Sequence, residues 1–130
     1  MSVLVDTSVW SLALRRNTSP PLDLIKLIDS NEVNIIGPLR QELLSGIKEM
    51  ATFEKLKIYL DAFPDLPLFT QHYVEGARIG NLCRKAGVQA SSIDFLICAV
   101  ARLEGLSLYS HDNDFTHIST VVPIKRYPAK

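Results

Sequence analysis

The feature that most constrains this chain is its alternation of short β-branched apolar runs with amphipathic stretches at helical spacing. Such alternation predicts a parallel sheet covered by helices on both faces. Val3-Leu4-Val5 reads as a buried strand ending at Asp6, and Glu32 to Ile36 as a second, closed by Gly37. Leu66 to Phe69 reads as a third, confined to an edge by Pro67. Leu106 to Tyr109 and Val121 to Ile124 complete the set. Between them, Thr7 and Ser8 offer N-cap oxygens to a helix over Val9 to Leu14. Pro20 and Pro21 suit the first turn of a second, with Leu24, Leu27 and Ile28 at helical spacing. Pro38 opens a helix that carries Glu42 in its second turn. Phe53, Leu56 and Leu60 line one side of the next, which Pro64 stops. Thr70 caps a helix bearing Ile79, Leu82, Cys83 and Ala86 that ends at Gly87, and Ser91 starts another through Leu103, closed by Gly105.

The 130 residues are enough for one domain with a real core, and no repeat or composition break divides residues 1–130. Apolar residues at 47% and charged ones at 22% match a globular composition and exclude a disordered one. No run is long enough to span a bilayer, and Asp6 interrupts the N-terminal apolar run before a secretory signal forms, so a cytoplasmic protein is expected. Cys83 and Cys98 lie in apolar helical patterns, as buried reduced thiols do. Net charge is zero, which argues against avid non-specific binding to nucleic acid. Any basic surface is local, from groups such as Arg15, Arg16 and Arg40.

In a parallel α/β sheet, ligands collect beyond the carboxyl ends of the strands. Acidic residues fall there: Asp6 ends the first strand, Glu42 follows the second, Asp94 opens the helix before Leu106 to Tyr109, and Asp112 and Asp114 follow that strand. Singly, each has a structural explanation. Asp94, three residues after Ser91, fits a capping box; Asp112 to Asp114 fits an Asx-turn; Glu42 fits a solvated helix face; Asp6 fits a polar strand terminus. Together they pose an electrostatic problem, since two carboxylates 4 Å apart repel by about 4 kcal/mol at an effective dielectric of 20. Protonation, dispersal into solvent or a bound cation resolves it. Mg²⁺ takes oxygen ligands and keeps several waters, and carboxylates with a hard cation point to phosphoryl chemistry. His72, His111 and His117 are scattered and form no zinc spacing.

Val3-Leu4-Val5-Asp6-Thr7-Ser8-Val9-Trp10, then Glu42, then Ser92-Ile93-Asp94-Phe95-Leu96-Ile97-Cys98-Ala99, then Ser110-His111-Asp112-Asn113-Asp114-Phe115 resemble the PIN-domain ribonucleases, in particular VapC toxins of VapBC toxin–antitoxin pairs. The resemblance covers essentially the whole chain. It implies a three-layer α/β/α PIN-like domain with a mainly parallel central sheet. It further implies Mg²⁺- or Mn²⁺-dependent endoribonuclease activity, a homodimer, and inhibition by a small antitoxin protein. Carried over by position, Asp6, Glu42, Asp94 and Asp112 are the catalytic acids. Asp6 and Asp94 would be the principal metal ligands, with Asp112 and Glu42 completing the cluster directly or through water. Asp114 is an auxiliary acid, and Thr7 or Ser110 a hydroxyl that orients an acid or water. Ser110 stands where many relatives carry Thr and keeps the hydroxyl. The expected reaction is in-line attack of metal-activated water on phosphorus, leaving 5′-phosphate and 3′-hydroxyl ends. Arg40 is a candidate contact to the RNA backbone, or equally a solvated helix charge.

Two other classes compete. A PIN-like fold can serve as a non-catalytic RNA- or protein-binding module. An aspartate-based phosphotransferase or phosphatase also places acids at strand ends, but the phosphatase pattern wants an acid where this chain has Ser8. The receiver pattern wants a Lys where it has His111 and Asp112. Ser45-Gly46 lacks a nucleophile-elbow context, and Trp10 reads as core or dimer contact more readily than as a base-stacking platform.

Overall fold

The computed structural model describes residues 2–14 and 19–128. Arg15 and Arg16 lie outside them. Three strands, β1 (Val3–Val5), β2 (Val33–Asn34) and β3 (Ser107–Tyr109), form a parallel sheet in the order β2-β1-β3. Val3 pairs with Val33 on one side, and Val3, Leu4 and Val5 pair with Ser107, Leu108 and Tyr109 on the other. The central strand is therefore fully buried on both faces, as its uninterrupted apolar run requires. The helices are α1 (Thr7–Ala13), α2 (Leu22–Asp29), α3 (Gly37–Leu44), α4 (Met50–Leu60), α5 (Thr70–Lys85), α6 (Ser92–Leu103) and α7 (Asn113–Ile118). The mixed α/β architecture with a parallel sheet is the one the sequence predicts.

The outer strands are shorter than expected. Leu66 to Phe69 forms no strand; Asp65 makes one parallel bridge to Ile35, with Leu66 N donating to the Ile35 carbonyl at 2.8 Å. Val121 to Ile124 forms none either; Arg126 makes one bridge to Leu108, with bonds of 2.8 and 2.9 Å on either side. Prolines explain both. Pro64 and Pro67 bracket one segment and Pro123 and Pro128 the other, so neither can donate a continuous ladder.

Helix α6 is the main buried helix, with every residue from Phe95 to Ala101 in the core. It packs closely on α5 because two glycines leave room: a Cβ at Gly80 would meet the Phe95 ring at 3.0 Å, and one at Gly76 the Leu96 backbone at 3.4 Å. The start of α5 differs from expectation. Thr70 is its first residue, not its cap; the Phe69 amide donates to Nδ1 of the buried His72 at 2.8 Å. That bond makes Nδ1 the acceptor, so Nε2 carries the proton toward Glu104, 2.7 Å away. Helix α2 likewise begins after Pro21, with no side-chain cap. Cys83 and Cys98 are free and buried, and burial pushes the Cys98 thiol up to about 12, which removes it as a nucleophile.

Trp10 belongs to the core. It is fully buried, its indole N–H donates to the Val5 carbonyl at 3.1 Å, and its ring meets Phe63 at 5.1 Å. Trp10→Phe keeps most of the ring but strands the Val5 carbonyl. We expect a loss of about 1–3 kcal/mol in urea unfolding, and an unchanged midpoint would contradict this role.

Candidate active site

Strand β1 is flanked by β2 on one side and β3 on the other, so the chain reverses its direction of travel across the sheet there. That is the switch point at which the loops after neighbouring strands part and leave a crevice. Asp6 follows β1 directly. It is the N-cap of α1, a role the sequence had suggested for Thr7 or Ser8. Its carboxylate is only 5% exposed, yet well satisfied. Oδ2 accepts from Ser110 Oγ at 2.8 Å, Ser8 Oγ at 2.9 Å and Ser8 N at 3.4 Å. All three donors converge on that oxygen, leaving Oδ1 without a protein donor among the described residues.

Ser8 is the residue that sequence reasoning missed. Its hydroxyl lies 3.1 Å from Ser110 Oγ and accepts from the His111 amide at 2.9 Å, tying the start of α1 to the loop after β3. The available signal was a hydroxyl two residues beyond the acid at a helix start. Ser110 Oγ also accepts from the Asp112 amide at 3.0 Å. Asp112 in turn caps α7, its Oδ1 accepting from Asp114 N at 2.9 Å. The expected Asx-turn thus opens into a helix.

Asp94 sits in a capping box: its amide donates to Ser91 Oγ at 3.1 Å and its Oδ2 accepts from Ser91 N at 3.2 Å. Burial lifts its carboxyl above the ordinary Asp range, against the hydrogen bonds from Ser91, and the charges of Asp112 and Asp114 add to the rise. Glu42 is exposed on α3. Partial desolvation lifts its carboxyl, followed by the charges of Asp6 and Asp94; a hydrogen bond from Thr7 opposes this, and Asp112 adds a last upward push. The charges of Asp6, Asp94 and Asp112 all act on Glu42, and those of Asp112 and Asp114 act on Asp94. A cavity of about 420 Å³ lined by Glu42, Asp94, Gln41, Ser45, Ser91 and Ile93 opens between α3 and the start of α6.

Among the described residues, no three His, Cys, Asp or Glu side chains are gathered tightly enough to hold an ion as they stand. Like charges spread when nothing neutralises them, and Asp94 and Asp112 are each drawn by one oxygen to their own helix start. The residues nonetheless fit a hard cation. All are oxygen donors, two carboxyls are raised by burial and then by their neighbours' charges, and Mg²⁺ needs only one or two carboxylates beside its waters. Arg40 is taken up elsewhere. Its Nε pairs with Asp65 at 3.0 Å, Nη1 donates to the Leu60 carbonyl at 3.0 Å and Nη2 to that of Phe63. It fastens the end of α4, and no contact to substrate is assigned to it.

These features define a class: a mixed α/β protein with acids at the carboxyl end of a parallel sheet. The sequence matches the PIN domain family over residues 3–121, and the chain belongs to that family. The fold is similar to VapBC2 from Rickettsia felis bound to a promoter DNA fragment, with a TM-score of 0.80, 16% identity and 97% of each chain covered. It is also similar to DNA-bound VapBC from Salmonella typhimurium, at 0.77 and 17%, covering 97% of this chain and 96% of that one. FitAcB from Neisseria gonorrhoeae scores 0.70 at 21% identity, covering 90% and 93%. At these identities the likeness is one of fold. No curated protein sequence matches. Among the described residues no helix is long and apolar enough to cross a membrane.

Glu42 and Asp94 hold their protons more tightly folded than unfolded, so their stabilising contribution is present below the ordinary carboxylate range and lost as pH rises through the raised folded values. Near neutrality, without metal, both charges oppose folding. In EDTA, Glu42→Gln should raise the urea midpoint at about pH 7 and leave it nearly unchanged at about pH 3. A midpoint that falls at neutral pH would contradict the repulsion.

Proposed function

We propose that this chain, one domain over residues 1–130, is a Mg²⁺-dependent endoribonuclease that hydrolyses RNA phosphodiester bonds, and the toxin of a toxin–antitoxin pair. The observation that carries this is at Glu42, whose carboxyl is raised first by partial desolvation and then by the charges of Asp6, Asp94 and Asp112, acids from three separate parts of the chain. Membership of the PIN domain family and the likeness to VapBC and FitAcB structures support it.

In this reading Asp6, Asp94 and Asp112 hold the ion, and Mn²⁺ serves in its place. Asp6 is the fixed point, because Ser8 and Ser110 lock its orientation. Asp94 and Asp112 would each have a second oxygen available to the ion, since one oxygen of each is engaged at its own helix start. When bound, the cation supplies positive charge that polarises the scissile phosphate and lowers the pKa of an attacking water. Glu42, with its raised pKa, is suited to hold a proton at the edge of the site and exchange it with that water or the leaving oxygen. Thr7 keeps Glu42 in place, Ser110 keeps Asp6 and Asp112 in place, and Asp114 adds negative charge beside Asp94. A small antitoxin protein as inhibitor, a homodimer and a cytoplasmic setting belong to the same proposal.

The test is cleavage of single-stranded RNA with Mg²⁺ and with EDTA. We expect activity in Mg²⁺ alone, and a loss of about a hundredfold or more in Asp6→Asn and in Asp94→Asn, the scale on which removing one charge-stabilising group acts. A folded wild-type chain that cuts no RNA in Mg²⁺ or Mn²⁺ would favour the non-catalytic binding module instead.

Metal also acts on stability. At Mg²⁺ about a hundredfold above its dissociation constant, binding to the folded state alone adds about 2.7 kcal/mol, so the wild-type melting temperature should rise and that of Asp6→Asn should rise much less. Equal melts of the wild type with and without saturating Mg²⁺ would contradict the metal site.

A further inference from the structure

Sharing Ser110 with the acidic site is a cavity of about 720 Å³, lined in part by Asp23, Tyr109, His111, Thr116, Arg126 and Tyr127. Its size falls in the range of small-molecule sites, about 300–1,000 Å³. Ser110 belongs to both places: its hydroxyl holds Asp6 at 2.8 Å, and its carbonyl accepts from Arg126 Nη2 at 3.2 Å. The cavity therefore begins one residue's thickness from the acidic site.

Arg126 is short of acceptors. Nη1 reaches Thr116 Oγ1 only at 3.4 Å, and the buried Nε has no partner. Among the described residues it forms no ion pair. A guanidinium offers five donors, and a buried idle one is costly. Around it stand aromatic faces, with Tyr109 edge-to-face against His111 at 5.6 Å and against Tyr127 at 5.2 Å. Asp23 lines the same cavity as Tyr109 and Tyr127; burial first, then the charge of Asp23, raises both phenols and keeps them protonated as donors.

An occupant must satisfy this mixture. A phosphate would be repelled by Asp23, and an aliphatic group would leave both Asp23 and Arg126 unanswered. A nucleobase offers a π-face with acceptors and N–H donors along one edge. Zero net charge fits this, because without an overall basic excess, stacking and base-edge contacts gain weight beside local phosphate contacts. Resting on the ribonuclease reading above, we propose that this cavity receives an unstacked base of the RNA substrate, from the nucleotide adjoining the one cut. Arg126 donates to its acceptor edge, Asp23 accepts from its N–H groups, and His111 and Tyr127 flank its face.

The test uses single-stranded oligoribonucleotides carrying thiouridine, photocrosslinked to the Asp6→Asn chain in Mg²⁺, with the attachment sites mapped by mass spectrometry. Crosslinks to Tyr109, His111 or Tyr127 are expected, and Arg126→Gln and His111→Ala should each weaken oligonucleotide binding by about tenfold. His111 is exposed, so His111→Ala decides the matter should Arg126→Gln lose its tether and fail to fold. Crosslinks confined elsewhere, with binding unchanged in a folded His111→Ala chain, would overturn the proposal, as would a protein partner occupying the cavity while RNA does not. Wild-type cleavage is measured separately. A chain that cuts RNA but never crosslinks here loses this subsite and keeps its nuclease reading. One that crosslinks here yet cuts nothing supports the subsite and overturns the nuclease.

Discussion

One carboxylate oxygen ties the site together. Oδ2 of Asp6 accepts from the Ser8 amide, the Ser8 hydroxyl and the Ser110 hydroxyl, and so binds the end of β1, the start of α1 and the residue after β3 into a single joint. A carboxylate this buried is tolerable only with such partners. The joint also fixes what lies on both sides of it. Ser110 passes the constraint to Asp112 through the backbone amide, and to Arg126 through its carbonyl. Loss of that joint would loosen the acidic site and the neighbouring cavity together.

In the proposed reading the acids around this joint have two uses each. Asp94 completes the capping box of α6 and Asp112 caps α7, each with one oxygen. Helix capping explains why these side chains sit where they do, and the raised carboxyls of Asp94 and Glu42 register their burial first and the charge of neighbouring acids second. A neutral chain thus carries a local concentration of negative charge that, among the described residues, neither Arg40 nor Arg126 relieves. Arg40 is spent on the end of α4, and Arg126 lines the cavity that shares Ser110 with the acidic site. A divalent ion is the economical counter-charge for such a place.

Much of this was legible in the chain. Val3-Leu4-Val5 announced a central strand because no position alternates to solvent. The Ser91 and Asp94 pair announced the start of α6, and its run of apolar residues announced a helix buried all round. The misses have local causes. The segments near Asp65 and Arg126 have the composition of strands, but flanking prolines reduce each to a single bridge. Helix α7 is six residues long and was hidden behind its own Asx start. Thr70 has the chemistry of a cap, yet the helix begins one residue earlier than that role requires, and the imidazole of His72 accepts from the amide of the N-cap Phe69, three residues before it. Arg40 looked like a solvated helix charge because its partners, Asp65 and two carbonyls at the end of α4, are distant in sequence. Ser8 escaped notice because its importance lies in a contact with Ser110, about a hundred residues away.

The most direct measurement is the position of a bound ion. In crystals soaked with Mn²⁺, anomalous scattering should place a peak among the carboxylates of Asp6, Asp94 and Asp112, with Asp94 and Asp112 turned toward it from their helix starts. A strong Mn²⁺ peak elsewhere, or none here at concentrations that support RNA cleavage, would contradict the convergence of these acids on a common cation.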